Sequence, residues 1–225
     1  MSSASPKRQV FEQLAFVAKA LAHTDRLDLI EHLAQGERSV EALARLIGQP
    51  VANTSQHLQQ LRRAGLVGAR RDGKYVLYSL ADDDVIELIT ALGIVAERGN
   101  AEVERILRGY FAERDSLEPV SREELLERCR QGLVTVLDVR PTEEFAACHL
   151  PGAVNIPLSQ LEDRVAELNP SQQVVAYCRG AYCVFSFEAV SRLRDRGFDA
   201  RRLVDGLPEW RAAGFPIEQE DAHRG

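Results

Sequence analysis

The chain has 225 residues, of which 45% are hydrophobic, enough for two domains of ordinary size, each with its own core. Its charge is uneven: residues 1–81 carry 11 Lys and Arg against 7 Asp and Glu, whereas residues 82–225 carry 17 against 27, and all three lysines lie before position 75. A basic front and an acidic back point to a nucleic-acid partner for the front only. No stretch reaches the roughly 20 apolar residues that a membrane span needs, and the polar start Met1-Ser2-Ser3-Ala4-Ser5-Pro6-Lys7 reads as no signal peptide. The four cysteines, Cys129, Cys148, Cys178 and Cys183, follow neither a secreted disulfide framework nor a zinc knuckle, so a reducing cytoplasm is expected.

The front half opens with three amphipathic helices. Phe11, Leu14, Ala15, Ala18 and Leu21 recur at helical spacing, as do Leu27, Ile30 and Leu33 behind Asp25, and Val40, Leu43, Ala44 and Ile47 behind Ser39. A fourth helix, about 52–64, has Thr54, Leu58 and Leu61 on its inner side. At ~100° per residue this leaves Asn53, Ser55, Gln56, Gln59, Gln60 and Arg63 facing outward, with no acidic residue among them. Amides and arginines are the side chains that read adenine and guanine edges in a major groove. Two alternating runs follow, to Arg71 and from Lys74 to Leu80, joined by Asp72-Gly73, a strong hairpin signal. The tip carries Arg70, Arg71 and Lys74, suited to phosphate or a minor groove.

This order is that of a winged helix-turn-helix. With Gln56-His57-Leu58 through Gly65-Leu66-Val67 and the run from Arg71 to Leu80, it resembles the ArsR/SmtB family of bacterial regulators over about residues 8–110. The resemblance implies a homodimeric repressor bound to double-stranded DNA at an inverted-repeat operator. Independently, Asp82-Asp83-Asp84 opens a long apolar stripe, Val85, Leu88, Ile89, Leu92, Val95, Val103, Ile106, Leu107 and Tyr110, which calls for a partner; Gly99-Asn100 marks a break in it. Relatives that sense metals use cysteines before the recognition helix or His and Asp/Glu on the last helix. Neither combination occurs here, and His23, His32 and His57 show no ligand spacing, so the reading is no metal site and no cofactor.

A charged, proline-containing segment about Glu113 to Val120 reads as the linker, giving expected domains 1–113 and 120–220 with the connection at 114–119. Behind it come a capping box, Ser121 with Glu124, an apolar strand 133–139 ending in Asp138-Val139-Arg140, the run Glu143-Glu144-Phe145, and His149-Leu150-Pro151-Gly152. A helix is expected near 161–168, then a buried strand 173–177, and Cys178-Arg179-Gly180-Ala181-Tyr182-Cys183 opening a helix from Val184. A cysteine at the carboxyl end of a strand, before a helix whose positive end faces it, is biased toward thiolate, and inward N–H groups of the loop would strengthen that bias. With Asp205-Gly206-Leu207-Pro208-Glu209-Trp210, these motifs resemble a rhodanese domain over about 118–220, which implies an α/β fold with a parallel sheet.

The resemblance implies that Cys178 accepts sulfur from thiosulfate, polysulfide or a related donor as a persulfide, with residues 178–183 as the active loop and Arg179 able to pair an anionic donor. Asp138 and Arg140 correspond to structural support. Cys183 departs from the usual pattern: it either resolves the persulfide or only packs. Two functions follow. One is a regulator whose rhodanese domain reports sulfane sulfur or, with less support, arsenic. The other is a sulfurtransferase whose front domain serves dimerisation or localisation.

Overall fold

The computed structural model describes residues 5–112 and 119–219, so most of the expected linker lies outside the described residues. Compactness divides the chain after Val85, and the α-helix that starts at Asp84 continues into the second unit. The front unit contains α1 (Pro6–Leu21), α2 (Thr24–Ala34), β1 (Arg38–Ser39), α3 (Val40–Leu46), α4 (Val51–Arg63), β2 (Val67–Asp72) and β3 (Tyr75–Leu80). Leu29 of α2, Leu43 of α3 and Leu58 and Leu61 of α4 are fully buried, and each such side chain contributes about 1.5–3 kcal/mol. Arg26 fastens the helices together. Its Nε donates to the Ala20 carbonyl at the end of α1 at 2.5 Å, and its Nη1 donates to the Gln60 amide oxygen on α4 at 2.6 Å.

The hairpin forms as expected but its register differs: Asp72 lies opposite Tyr75, so the two turn residues are Gly73 and Lys74 rather than Asp72 and Gly73, and Gly73 supplies the left-handed φ of 58° that the tight turn requires. A third strand joins them: β1 pairs antiparallel with β3, Arg38 opposite Tyr78. Two residues are too few to show an alternating pattern, so this strand is not visible in the sequence. α5 (Asp84–Gly99) and α6 (Ala101–Ile106) meet at the expected break, where the Asn100 side chain caps α6 by accepting from the Glu102 amide at 3.0 Å; one π-helical turn, Leu107–Ala112, follows.

The rest of the second unit is a sheet with helices on both faces. Its elements are α7 (Arg122–Arg130), β4 (Val134–Asp138), α8 (Thr142–Ala147), β5 (Val154–Asn155), α9 (Leu161–Arg164), β6 (Gln173–Tyr177), α10 (Val184–Asp195), β7 (Ala200–Arg202) and α11 (Leu207–Ala212). The strand order is β5-β4-β6-β7 and every pairing is parallel. The helix expected over 161–168 is one α-helical turn flanked by two 3-10 turns. β6 is buried on both faces and its alternation builds two cores. Val174 and Ala176 pack with Ala189, Val190 and Leu193 of α10, while Val175 and Tyr177 pack with Leu125, Leu207 and Trp210.

At the carboxyl end of β4, Asp138 and Arg140 form an ion pair with both side chains fully buried, 2.5 Å at its shortest. Arg140 also donates to the Cys148 carbonyl at 2.8 Å, and Asn155 Nδ2 bridges the carbonyls of Asp138 and Arg140. Arg140→Met would leave the Asp138 carboxylate buried without its partner, so urea unfolding of the full chain is expected to show a loss of about 3–5 kcal/mol in the second unit, partly recovered by adding Asp138→Asn.

Candidate functional site: a cysteine loop and a basic reading face

Cys178 leaves the end of β6 buried to 1% exposure and Cys183 stands at the N-cap of α10 at 7%. Their Cα atoms are 6.2 Å apart and their sulfurs are joined as a disulfide. Two backbone hydrogen bonds hold the loop between them. The Leu207 amide donates to the Cys178 carbonyl at 3.2 Å, and the Cys183 amide donates to the Gly180 carbonyl at 3.0 Å. The Cys183 amide, one of the loop N–H groups that could have turned inward around the sulfur, closes the turn instead.

Arg179 departs from expectation too. Its guanidinium lies against the buried Glu144 carboxylate of α8, Nη2 to Oε1 at 2.9 Å and Nε to Oε2 at 3.0 Å, and 5.3 Å over the Phe185 ring. The side chain expected to meet an anionic donor is thus engaged by an internal carboxylate. Glu144 belongs to the motif singled out in the sequence, but a pair 35 residues apart has no local signal.

Gly206 contributes through space. Its φ of −110° suits any residue, yet a Cβ there would sit 2.3 Å from the Arg179 carbonyl carbon and 2.4 Å from the Gly180 nitrogen. Only a missing side chain lets the start of α11 lie against the loop. Ala181 is half-buried and Tyr182 is exposed. The Tyr182 hydroxyl donates to Glu97 of α5 at 2.6 Å, and a Cβ at Gly93 would meet that hydroxyl at 2.6 Å. Burial, and then the Glu97 carboxylate, push the tyrosine's pKa well up, so the phenol remains a donor.

On the front unit, Asn53, Gln56, Gln59, Gln60 and Arg63 are exposed on α4, and Ser55 is half-buried between them. Gln60 is partly spoken for, since its amide oxygen accepts from Arg26. Arg70, Arg71 and Lys74 are exposed on the hairpin. Arg70 is paired in two-pronged fashion with Glu37, as close as 2.6 Å, so Arg71 and Lys74 carry the wing's uncompensated charge more than Arg70 does. His23, Asp25 and His57, which show no relation along the chain, converge where α2 begins beside α4. Burial and the neighbouring His23 lower the His57 pKa, against the opposing pull of Asp25.

Residues 121–213 match the rhodanese-like domain family and residues 21–67 match a helix-turn-helix domain family. The chain is 44% identical over 213 residues to the HTH-type transcriptional regulator Rv0324 of Mycobacterium tuberculosis, an alignment covering 95% of this chain and 93% of that one. The chain belongs to the ArsR/SmtB-type regulators fused to a rhodanese domain. Among solved structures, the front of the regulator is similar to the homodimeric winged helix-turn-helix fragment Mb0332 of Mycobacterium bovis, at 39% identity over 44% of this chain and 93% of that one, with a TM-score of 0.41. Its back is similar to a rhodanese-related protein of Thermoplasma volcanium, at 25% identity over 45% of this chain and 98% of that one, also with a TM-score of 0.41. It is a transcriptional regulator with a DNA-binding winged helix-turn-helix and an α/β rhodanese domain. Among the described residues no helix is long and apolar enough to cross a membrane.

Gly206→Ala has to push the Arg179–Gly180 backbone aside, and thermal or urea unfolding is expected to register a cost of about 1–3 kcal/mol, whereas Gly99→Ala, with open space around it and no left-handed backbone, is expected to cost nothing measurable.

Proposed function

We propose that the regulator is a homodimeric, cytoplasmic repressor that reports sulfane sulfur through Cys178, with Cys183 as the resolving thiol. The observation that carries this reading is the direct link between the two sulfurs at the ends of one loop. Disulfides in a reducing compartment are usually transient and serve redox sensing or catalysis rather than support. The chemistry balances. The Cys178 thiolate attacks the outer sulfur of thiosulfate, the S–S bond to sulfite breaks, and sulfite leaves with its electron pair, giving a Cys178 persulfide. The Cys183 thiolate then attacks the inner sulfur of that persulfide and expels hydrosulfide, leaving the Cys178–Cys183 disulfide. Two thiols are oxidised and one sulfane sulfur is reduced to sulfide. A polysulfide donor does the same with a shorter polysulfide as leaving group.

The loop also has a route to the rest of the molecule. Tyr182 lies between the two cysteines and meets α5, the helix whose Leu88, Leu92 and Val95 stay exposed in the single chain. With exposed Val10, Phe11 and Leu14 of α1, these side chains are what we assign to the dimer interface. Residues 1–113 then act as the DNA-binding and dimerising part, and bond formation at the loop moves Tyr182 against α5, so the two sulfur states bind DNA unequally.

Gel shifts on the regulator's own upstream DNA, with and without polysulfide, test the reading. Cys178→Ser should abolish the polysulfide response while leaving basal DNA binding intact, since serine is not ionised and cannot attack sulfur. Tyr182→Phe should preserve sulfur uptake at Cys178, read by mass spectrometry, but blunt the change in DNA affinity; an unblunted response removes Tyr182 from the relay.

On the DNA side, replacing Arg71 and Lys74 with Glu should weaken binding to all duplexes and flatten the salt dependence by about two phosphate contacts. Gln56→Ala is expected to cost about 1–3 kcal/mol of sequence discrimination with little change in non-specific binding.

A further inference from the structure

His23 is the N-cap of α2, Asp25 lies in its first turn, and His57 stands in the middle of α4. The two imidazole centroids are 4.4 Å apart, His57 Nε2 is 3.4 Å from the nearer Asp25 oxygen, and one ligand atom from each of the three residues lies within 4.8 Å of the others. His57 Nδ1 is buried with no hydrogen-bond partner, so the ring meets polar groups only through the Nε2 edge that faces Asp25. The ring has not been built into the fold by bonds at both nitrogens.

We propose that His23, Asp25 and His57 bind one divalent transition-metal ion of the zinc class, joining the start of α2 to the recognition helix. Two neutral imidazoles and one carboxylate suit zinc, cobalt or nickel, whereas magnesium and calcium prefer oxygen alone. Metal–ligand bonds of about 2.0–2.1 Å in a tetrahedron put ligand atoms about 3.3 Å apart, close to the spacing of His57 and Asp25. The wider gap to His23 is closed by side-chain rotation, since His23 is exposed. A water fills the fourth position, as in open zinc sites.

Loading has a structural consequence. His23 Nδ1 accepts from the Asp25 amide at 3.2 Å, which caps α2. Coordination through Nδ1 occupies that lone pair, and coordination through Nε2 moves the ring proton to Nδ1. Either way the cap bond is exchanged for a metal bond while His57, one residue from Gln56 and two from Gln59, is gripped. One turn along, Arg26 and Gln60 tie the same two helices. The ion therefore sets the position of α4, and DNA affinity changes with it.

The test uses the full chain, free of any affinity tag, with Co2+ as a spectroscopic probe and Zn2+ as competitor. We expect one Co2+ per chain with the visible bands of four-coordinate cobalt, no thiolate-to-metal charge transfer, and displacement by Zn2+. His23→Ala and Asp25→Asn, both at the surface of the site, should each weaken Co2+ binding about tenfold or more. The same variants should lose any Zn2+ effect on DNA affinity while retaining the polysulfide response at Cys178, so failure here is distinguishable from failure of the sulfur reading. No Co2+ bound at micromolar concentration, a thiolate charge-transfer band, or binding that survives either substitution overturns the proposal.

Discussion

The carboxyl edge of the rhodanese sheet rests on one buried ion pair. Two opposite charges taken fully out of water are tolerable only when their geometry is good and their remaining hydrogen-bonding capacity is met, and Asp138 and Arg140 meet both conditions by also engaging the Arg140 amide and the Cys148 carbonyl. β4 ends at this pair, the Cys148 carbonyl is drawn to it, and Asn155 is braced between the two carbonyls beside it. Tyr177, in register with Asp138 on the neighbouring strand, accepts from the Leu150 amide at 3.1 Å and is held far from ionisation by burial and the Asp138 charge. Cys178 is the next residue. Its loop therefore departs from a base braced by buried hydrogen bonds.

Much of this was legible in the sequence because the informative signals are local. The hairpin around Gly73, the inner face of α4 and the buried apolar run of β6 each declare themselves within a dozen residues, and the burial of α4 and β6 follows the expected pattern. The rest concerns pairs brought together by packing. Arg179 with Glu144, Arg26 with Gln60, Arg70 with Glu37 and His23 with His57 are separated by about thirty residues, and no spacing rule relates a residue on one element to one on another. β1 and β5 are strands of two residues each, below the length at which a period can be read.

The engaged arginines change how the two candidate surfaces are weighed. An outward Arg counts as a free positive charge until its partners are known. At the wing, Glu37 offsets Arg70 and shifts the burden of phosphate contact to Arg71 and Lys74. In the cysteine loop, Glu144 plays the same part for Arg179.

The enclosure of the Cys178–Cys183 bond bears on timing. Exchange requires a thiolate in line with the bond, and sulfurs buried to this degree admit a small thiol far more readily than the broad docking face of a protein reductant. On the sulfur-sensing reading proposed above, resetting would be slow relative to loading whenever small thiols are scarce, and the molecule would keep a record of past sulfur exposure after the donor has gone. Gly206 contributes to that enclosure by letting α11 lie flush against the loop.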